Sequence, residues 1–494
     1  MLSMIPPQTL ALGALVSLIV YYLIWTFYTL TLHPYARYPG PFLAKLTSWH
    51  RWYTLRYHID ANVRLPLHVR YGPIVRIAPD EVSIADPAAI DAISRRAFTK
   101  TDFYDNFDPR LGGRPEIFAE RDERKHDGLK RMLVPLFRAE SVAKYEGYID
   151  DILGVFCDKM DERVGDTVDL AEWVARFSWD TVGRMVHSFD GGFGMLRDGV
   201  DFNGWMGMVR VMQWNTGQLH YVPFGFRTLY FVFQMLISGK TREGVLAAVT
   251  AIKQSRALIK RRKEREALGE KFNPDDMLSK MLRMEEDEKL DWCEDDTILT
   301  LNAFIWAGSD TTASTLGMIT FFILRDQRVC QKLKAEIDAA NVDGYMSYQT
   351  AAALPYLGAC IHEGFRLHTI IGMGWPRRVP PGGAEICGQH FPGGYKVQLN
   401  HNVTHLDKSI YGEYAEEYRP ERWIENDENT TIAMHRHLHT FGYGNRIAMS
   451  EIYKFIPTVL KRYRFDVLKE PWVSRGWFQQ PEHFIVKVNS SVEH

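Results

Sequence analysis

The first 32 residues constrain the fold most, because they are largely apolar and contain no charged side chain. The stretch 10–32 is long enough to cross a bilayer, since a helix needs about 20 apolar residues to span the hydrocarbon core. A cleaved signal peptide is the alternative, but no basic region precedes the apolar run and no small-residue cleavage site ends it. The basic residues that follow (Arg37, Lys45 and Arg51) place the rest of the chain in the cytosol. We therefore expect residues 1–32 to form a single-pass membrane anchor.

A proline-rich segment follows this stretch. Pro34, Pro39 and Pro41 restrict their own φ angles and bias the preceding residues away from helix, so residues 33–42 are predicted to form a stiff, extended hinge. No long linker, repeat or low-complexity run comes after it. Residues 43–494 are therefore predicted to form one domain.

Composition excludes several classes of protein. Hydrophobic residues make up 46% of the 494 residues, enough for a large core, and the 59 basic and 61 acidic residues are interspersed. The net charge of −2 gives no basic stripe of the kind that binds nucleic acid. The cysteines are odd in number and lack C-x-x-C spacing, which argues against a disulfide framework and a structural zinc site. They are Cys157, Cys293, Cys330, Cys360 and Cys387.

The apolar patterns predict a mainly α fold with small β-sheets. Strand patterns occur at residues 73–79, 384–400 and 483–488, and the second contains a Pro-Gly-Gly turn typical of a hairpin. Residues 302–324 are apolar nearly all round, which predicts a helix buried in the core. A Gly-Ser-Asp-Thr-Thr patch interrupts it, and these residues weaken a helix. The patch predicts either a groove that places an acid beside an alcohol or a kink with internally bonded threonines.

Three charged stretches are candidates for a site. Glu363 and Arg366 lie at i and i+3 on one helix face. By themselves they are an ordinary surface ion pair. If Arg422 joins them, the carboxylate is clamped between two guanidinium groups. The stretch 124–137 carries cations on one side of a helix, which is either a solvated basic face or a clamp for two carboxylates. These cations are His126, Lys130 and Arg131.

Taken in order, these features resemble the cytochrome P450 family of haem-thiolate monooxygenases over nearly the whole chain. Residues 307–312 resemble the oxygen-groove helix, Glu363, Arg366 and Arg422 resemble the structural triad, and residues 375–383 resemble the segment leading to the first sheet. Phe441, Gly444 and Arg446 match the start of the haem loop, F-x-x-G-x-R. The hinge and residues 384–400 are similar to fungal members that modify secondary metabolites.

The resemblance implies a P450-like domain behind the anchor, with haem b as cofactor. It implies that Asp310 and Thr311 deliver protons during catalysis, and that Ala307 and Gly308 leave space for dioxygen. Phe441 would belong to the cofactor-binding loop. The candidates for the haem propionates are Lys130, Arg131, Arg377 and Arg446, with His126 as a weaker one.

The resemblance also implies partners and a location. Electrons would come from NADPH through a separate membrane-bound reductase, docking on a basic face made by Lys454, Lys461 and Arg462. An apolar substrate of moderate size would contact residues 202–233 and 370–375, together with Trp477 and Phe478. The membrane would be that of the endoplasmic reticulum, with the catalytic domain in the cytosol.

The chain departs from the family at the iron ligand. The family loop continues F-x-x-G-x-R-x-C-x-G-x-x-L/I-A-x-x-E, with seven residues between R and A. Here only Ile447 separates Arg446 from Ala448, and Ala448 and Glu451 match the A-x-x-E that opens the last long helix. Apolar residues at i, i+3, i+4, i+7, i+8 and i+11 predict that helix, and they are Ile452, Phe455, Ile456, Val459, Leu460 and Tyr463. A block of about six residues, including the axial cysteine, is therefore missing between Ile447 and Ala448. Met449 is the one alternative ligand nearby, and the shortened loop limits its reach.

Three hypotheses follow. The chain is a monooxygenase for an apolar small molecule of fungal secondary metabolism whose recorded sequence has lost an in-frame block. Alternatively, it is a haem-deficient pseudoenzyme that binds a ligand or a partner at the membrane. A helical scaffold unrelated to haem is the third, and the order of the motifs disfavours it.

Overall fold

The fold comes from a computed structural model of the full chain. It describes residues 7–94, 97–109, 111–188, 192–215, 217–441, 446–474 and 476–491. The statements below concern these residues.

Helices make up most of the described chain. In chain order they are α1 (Pro7–Phe27), α2 (Phe42–Leu46), α3 (Trp49–Arg56), α4 (Asp60–Tyr71), α5 (Ala89–Ile93), α6 (Glu123–Leu133), α7 (Ala139–Lys144), α8 (Glu146–Asp161), α9 (Leu170–His187), α10 (Met195–Asp198), α11 (Trp205–Asn215), α12 (Arg227–Ile237), α13 (Gly239–Ala267), α14 (Met277–Glu286), α15 (Glu294–Arg325), α16 (Gln327–Ala339), α17 (Tyr348–Ala352), α18 (Pro355–Leu367), α19 (His401–Thr404), α20 (Lys408–Tyr411), α21 (Arg422–Glu425), α22 (Glu428–His437) and α23 (Arg446–Arg462).

The strands form four small sheets. They are β1 (Ile74–Ala78), β2 (Glu81–Ile84), β3 (Thr99–Lys100), β4 (Thr167–Asp169), β5 (Arg377–Arg378), β6 (Ala384–Ile386), β7 (Gln389–Phe391), β8 (Lys396–Leu399), β9 (Tyr463–Lys469), β10 (Trp472–Val473), β11 (Pro481–Glu482) and β12 (Ile485–Ser490). The largest sheet has the order β1-β2-β8-β5-β3, and only the β2–β8 pair is parallel. A second has the order β4-β12-β9, and β6–β7 and β10–β11 are separate pairs.

The core is built around α15, which packs against α9, α13, α18 and α23. Its 32 residues include Ile305, Leu316 and Ile319, all with no exposed surface. A helix that is apolar nearly all round is stable when neighbours cover most of its surface, and here they cover all but a short stretch around Ala307. The predicted buried helix and the mainly α fold with small sheets are confirmed. The last long helix is confirmed as well, since α23 buries the apolar positions that the helical period predicts: Ile452, Phe455, Ile456, Val459 and Leu460.

Two predictions about the backbone are wrong in detail. The hairpin at 384–400 turns at Cys387 and Gly388, whose φ angles of 51° and 69° suit a tight two-residue hairpin turn. The Pro-Gly-Gly stretch instead leads from β7 into β8, which belongs to the largest sheet. Within the predicted hinge, residues 33–38 form turns rather than extended chain, with the Ala36 N–H donating to the His33 carbonyl at 2.7 Å.

The N-terminal helix is the one described helix long and apolar enough to cross a membrane. The span covers Gln8–Leu32, and its most apolar window has no buried residue. Its last turn, Tyr28–Leu32, is a π-helix in which Thr29 is fully buried against the domain.

Candidate active site

The middle of α15, where the sequence predicts a groove, is partly open to solvent. Ala307 is exposed and Thr311 is partly exposed, whereas residues 312–321 are buried. The Thr311 hydroxyl donates to the Ala307 carbonyl at 2.6 Å. The threonine is thus internally bonded as the second alternative expects, but the helix runs unbroken from Glu294 to Arg325 and has no kink.

Gly308 and Asp310 do not face this groove. A Cβ at Gly308 would lie 3.3 Å from Val182 on α9, so the glycine allows close helix packing rather than space for dioxygen. The Asp310 carboxylate is buried and accepts hydrogen bonds from the side-chain amides of Gln213 (2.5 Å) on α11 and Gln480 (3.1 Å). Burial raises the pKa of Asp310. The carboxylate thus joins three segments, which corrects the expectation that it lies beside Thr311 as a free proton donor.

A cluster of cations lies where β3, β5 and α6 meet. Lys100 and Arg377 are register partners in the β3–β5 ladder, and Arg377 lies 5.3 Å above the Tyr104 ring. Burial, together with Lys100, Lys130 and Arg377, lowers the pKa of His126 to about 4. Burial and Arg377 lower the pKa of Lys100 to about 8. Like charges held this close favour an anionic ligand such as a carboxylate pair.

This cluster contains only part of the predicted set of cations. Lys130 and Arg377 converge with His126, whereas Arg131 is exposed to solvent. Arg446 is also exposed, and it donates to the Phe137 carbonyl at 3.3 Å. Sequence reasoning missed Lys100, and the signal that would have found it is strand pairing between residues 99–100 and 377–378.

The predicted triad is assembled and buried. Glu363 is wholly buried and accepts from Arg366 at 2.8 and 2.9 Å, and from Arg422 Nε at 2.8 Å. The Trp423 indole and the Arg419 backbone N–H also donate to this carboxylate, each at 2.9 Å. The clamp, and not the surface pair, is therefore the correct alternative for these residues.

Phe441, the first residue of the haem-loop motif, packs on α18, the helix that carries Glu363 and Arg366. The Phe441 ring lies 5.1 Å from the Phe365 ring on α18 in an edge-to-face contact. Gly444 falls outside the described residues. Arg446, where the described chain resumes, already lies in α23.

The cysteines, all described, supply no ligand to this region. Cys157 and Cys360 are buried in the main core, and burial raises the pKa of both thiols. Burial also raises the pKa of Cys330, and that of Cys387 rises to about 12. Cys293 caps α15 at its N-terminus. The cation cluster suits a ligand with carboxylates, such as the propionates of a haem. The cysteines do not fit an iron that needs an axial thiolate.

A buried carboxyl joins α23 to the core. Glu451 has no exposed surface, and burial raises its pKa well above the ordinary value. The Ser178 hydroxyl on α9 lies 3.2 Å from this carboxyl and donates to the Ser309 carbonyl at 2.8 Å. A protonated Glu451 can therefore donate to Ser178, which satisfies both groups in one chain from α23 through α9 to α15.

The predicted basic docking face is wrong for Lys454, whereas Lys461 and Arg462 are exposed. Lys454 is buried, donates to Glu146 at 2.8 Å and lies 2.9 Å from Asp150. Lys461 donates to the Val342 carbonyl and Arg462 pairs with Asp161. A long side chain at a helical position turns towards whatever carboxylates its neighbours provide, and sequence spacing alone does not show these.

The predicted substrate contacts separate into two groups. Residues 370–375, Trp477 and Phe478 join an apolar cluster with Phe103, Tyr104 and Tyr221. Trp477 donates to the Gln213 carbonyl, which connects this cluster to Asp310. The end of the segment 202–233 lies outside it, because α12 has no buried residue.

Comparisons with known proteins agree with this architecture. The family model for cytochrome P450 matches residues 52–487. The chain is 31% identical to cytochrome P450 monooxygenase gsfF of Penicillium aethiopicum, over 94% of this chain and 95% of the relative. It is 31% identical to cytochrome P450 monooxygenase cicH of Emericella nidulans (92% and 93%) and 29% identical to pisatin demethylase of Fusarium vanettenii (95% and 91%). The chain belongs to the cytochrome P450 family.

Proposed function

We propose that this chain has the scaffold of a monooxygenase for a moderately sized apolar small molecule of fungal secondary metabolism, and that its present sequence does not hold a thiolate-ligated haem. Membership in the family implies haem b, a small-molecule substrate and electrons from a redox partner. The substrate class follows from the apolar cluster beside the groove and from the fungal relatives.

One observation carries the second part of the proposal. Arg446 already lies in α23, and Ile447 alone separates it from Ala448. A six-residue block with the axial cysteine has no place in so short a connection. The thiolate donates electron density to the iron, and without it the haem loses both a covalent anchor and its oxidising chemistry. We therefore derive no catalytic step through iron for the chain in this form.

The residues around the groove have roles that do not depend on the iron ligand. Lys130 and Arg377 would hold the two propionates of a porphyrin by charge-assisted hydrogen bonds. Lys100 would add only its charge, because its ammonium already donates to the carbonyls of Ile117, Phe118 and Glu120. Thr311 presents the one hydroxyl on the open face of α15, and Ala307 keeps that face shallow. The haem, when bound through a thiolate, would supply activation of dioxygen.

The first test is spectroscopic and compares three forms of the full chain. The unmodified chain should lack the red-shifted carbon monoxide band of thiolate-bound ferrous haem. Inserting Cys-Ala-Gly-Gln-Ala-Leu between Ile447 and Ala448 should restore it, and the matched Ser-Ala-Gly-Gln-Ala-Leu insertion should not. A thiolate band from the unmodified chain would contradict the proposal. Failure of the cysteine insertion to take up haem would favour the pseudoenzyme that binds a ligand or partner without oxidising it.

The second test concerns the gene. Reading the transcript across the codons for residues 446–451 distinguishes a misplaced exon edge from a true loss. If the transcript encodes the cysteine block, the protein made in the cell is an ordinary monooxygenase. If the transcript lacks the block, the protein made in the cell has the present sequence.

We further propose that the protein is a single-pass membrane protein of the endoplasmic reticulum, with the domain in the cytosol and a membrane-bound NADPH-dependent reductase as electron donor. The apolar span Gln8–Leu32 and the basic residues after it support this. Protease added to sealed microsomes should digest the domain. Protection of the domain would place it in the lumen and contradict the proposed topology.

A further inference from the structure

We infer that His405 is a positioning residue for the entrance of the haem loop, and that it holds this entrance only while its imidazole is neutral. The entrance comprises residues 438–441, the described segment that leads to the motif glycine. The inference goes beyond the proposed function and does not depend on an iron ligand, because every residue in it lies before the missing block.

His405 is bonded to the triad arginine in both directions. It follows α19 directly and has no exposed surface. Arg366 Nη1 donates to the His405 carbonyl at 2.8 Å, and His405 Nδ1 lies 3.2 Å from the Arg366 carbonyl. Because a carbonyl only accepts, Nδ1 must carry a proton and donate it to this bond. The two bonds therefore fix both the place of the ring and its tautomer.

The other ring nitrogen holds the entrance. In the neutral Nδ1–H tautomer, Nε2 presents a lone pair, and the backbone N–H of His439 donates to it at 3.2 Å. Two residues later, the Phe441 ring packs on the Phe365 ring of α18. One hydrogen bond and one ring contact thus hold the entrance against the helix that carries the triad.

A proton on Nε2 would remove this acceptor. A charged imidazole has an N–H group on both nitrogens, so its Nε2–H would face the His439 N–H and neither group could accept. The backbone donor would lose its partner, which costs free energy in a buried place. The entrance therefore keeps its position only while the ring stays neutral, and it moves away when the ring is protonated.

The surroundings oppose a charge on this ring. The His401 ring lies 5.7 Å from the His405 ring at 36°, and the His439 ring lies 5.3 Å from the His401 ring at 32°. Burial, together with His401 and Arg366, lowers the pKa of His405 well below its ordinary value. Burial also lowers the pKa of His401, to about 3, and that of His439, on which Asp91 of α5 acts in the opposite direction.

The titratable groups on α4, which packs on α19, have other partners. The buried ones are Asp60, Arg64 and His68. Asp60 accepts from Arg64 at 3.1 Å, and His68 bonds to the Gly72 carbonyl and the Ser83 hydroxyl. These bonds direct the charges of α4 away from the stacked imidazoles.

A metal is a poor alternative for the imidazole cluster. Both nitrogens of His405 are already in hydrogen bonds, and the rings of its neighbours stack rather than converge on a point. Over the described part of the chain, no group of three histidine, cysteine or acidic residues is arranged to hold a metal ion. The bonds of His405 to the chain, and not a ligand, therefore define its role.

The test is hydrogen exchange at the His439 amide of the full chain in detergent, resolved by electron-transfer fragmentation. Exchange is followed from about pH 8 to about pH 5, which brackets the ordinary imidazole pKa. Each rate is divided by the intrinsic rate at that pH to give a protection factor. Protection should be constant at high pH and should fall by up to about tenfold per pH unit below about 6.5, because an opened entrance lets the ring bind a proton. Constant protection down to the lowest pH would overturn the inference.

Two variants separate the proton of this ring from its volume. His405→Gln places an amide oxygen near the position of Nε2 and binds no proton, so the His439 amide should stay protected and lose its pH dependence. His405→Phe keeps the ring volume without the acceptor, so protection should be lower by about tenfold at neutral pH and independent of pH. An acid-induced loss that survives in His405→Gln, or parent-like protection in His405→Phe, would overturn the role of His405.

Controls distinguish local release from unfolding of the whole domain. His437→Gln is the matched variant, because the His437 ring bonds to the Ala433 carbonyl of its own helix at 2.7 Å, and it should reproduce the parent profile. Amides of Leu316 and Ile319 in α15 should stay protected over the same pH range. An equal loss at α15 would show that the whole domain opens and would overturn the local role. The carbon monoxide spectra test the monooxygenase proposal separately, since the exchange experiment needs no haem.

Discussion

Replacing Arg422 by alanine should destabilise the domain by about 3–5 kcal/mol, because it removes the cation of a buried ion pair and leaves the carboxylate in place. Glu363 has no exposed side-chain surface and Arg422 only 5%. The substitution removes the bond from Arg422 Nε to Glu363, and also the donors that Arg422 gives to the carbonyls of Tyr411, Tyr414 and Glu417. Each buried acceptor left without a donor costs about 1–3 kcal/mol.

The remaining contacts set the upper limit of this loss. Glu363 keeps both bonds from Arg366 and the bond from Trp423, so its charge stays partly compensated. Arg422→Lys should fall between the parent and the alanine variant, since an ammonium keeps the charge but cannot reach the carboxylate and the carbonyls together.

The measurement is urea unfolding of the detergent-solubilised chain, followed by tryptophan fluorescence. Arg419→Ala is the matched control, because only its backbone N–H bonds to Glu363 and its exposed side chain pairs with Glu425 at 3.4 Å. An exposed pair of this kind contributes at most about 1 kcal/mol. A midpoint for Arg422→Ala that coincides with that of Arg419→Ala would refute the buried clamp.

Three further predictions use the same unfolding assay. The free energy of unfolding of Glu451→Gln should exceed that of the parent by a margin that grows by about 1.4 kcal/mol for each pH unit above the ordinary glutamate pKa. The reason is that the raised pKa keeps the folded carboxyl of the parent protonated while the unfolded carboxyl ionises. Parallel pH profiles of the two proteins would contradict this. Gln213→Leu should cost about 1–3 kcal/mol by leaving Asp310 short of a donor, and Asp310→Asn should cost less because its amide oxygen still accepts. Lys454→Met should cost about 1–3 kcal/mol because it removes the buried ammonium that Glu146 and Asp150 share, and Lys461→Met should cost less; equal small losses for the two variants would contradict the buried role of Lys454.

The sequence predicts the elements of this fold better than it predicts the direction of single side chains. The apolar period locates α23, and the all-round apolar content locates α15. Periodicity gives the residues of a helix that face its neighbours but not which neighbour each residue meets. Asp310 therefore looked like a partner of Thr311, although a glutamine on α11 holds it on another side of the helix.

Long-range pairs were predictable only through the family motif. Nothing in the spacing of Glu363 and Arg422, 59 residues apart, brings them together, and the resemblance supplied the triad. Where no motif existed, the contact was missed. Lys100 and Arg377 become neighbours through a two-residue strand pair too short to leave a pattern in the sequence.

The shortened loop is best judged from the helix that follows it. If Ala448 had replaced the cysteine by substitution, a loop segment would remain between Arg446 and the helix that begins with A-x-x-E. Instead Arg446 and Ile447 are already helical, while Glu451 and Ile452 are fully buried against the core. The residues that fix the register of α23 thus follow Ala448. This geometry supports a block deletion between Ile447 and Ala448. A six-residue insertion there would move only Arg446 and Ile447 away from the helix and leave its buried residues in place.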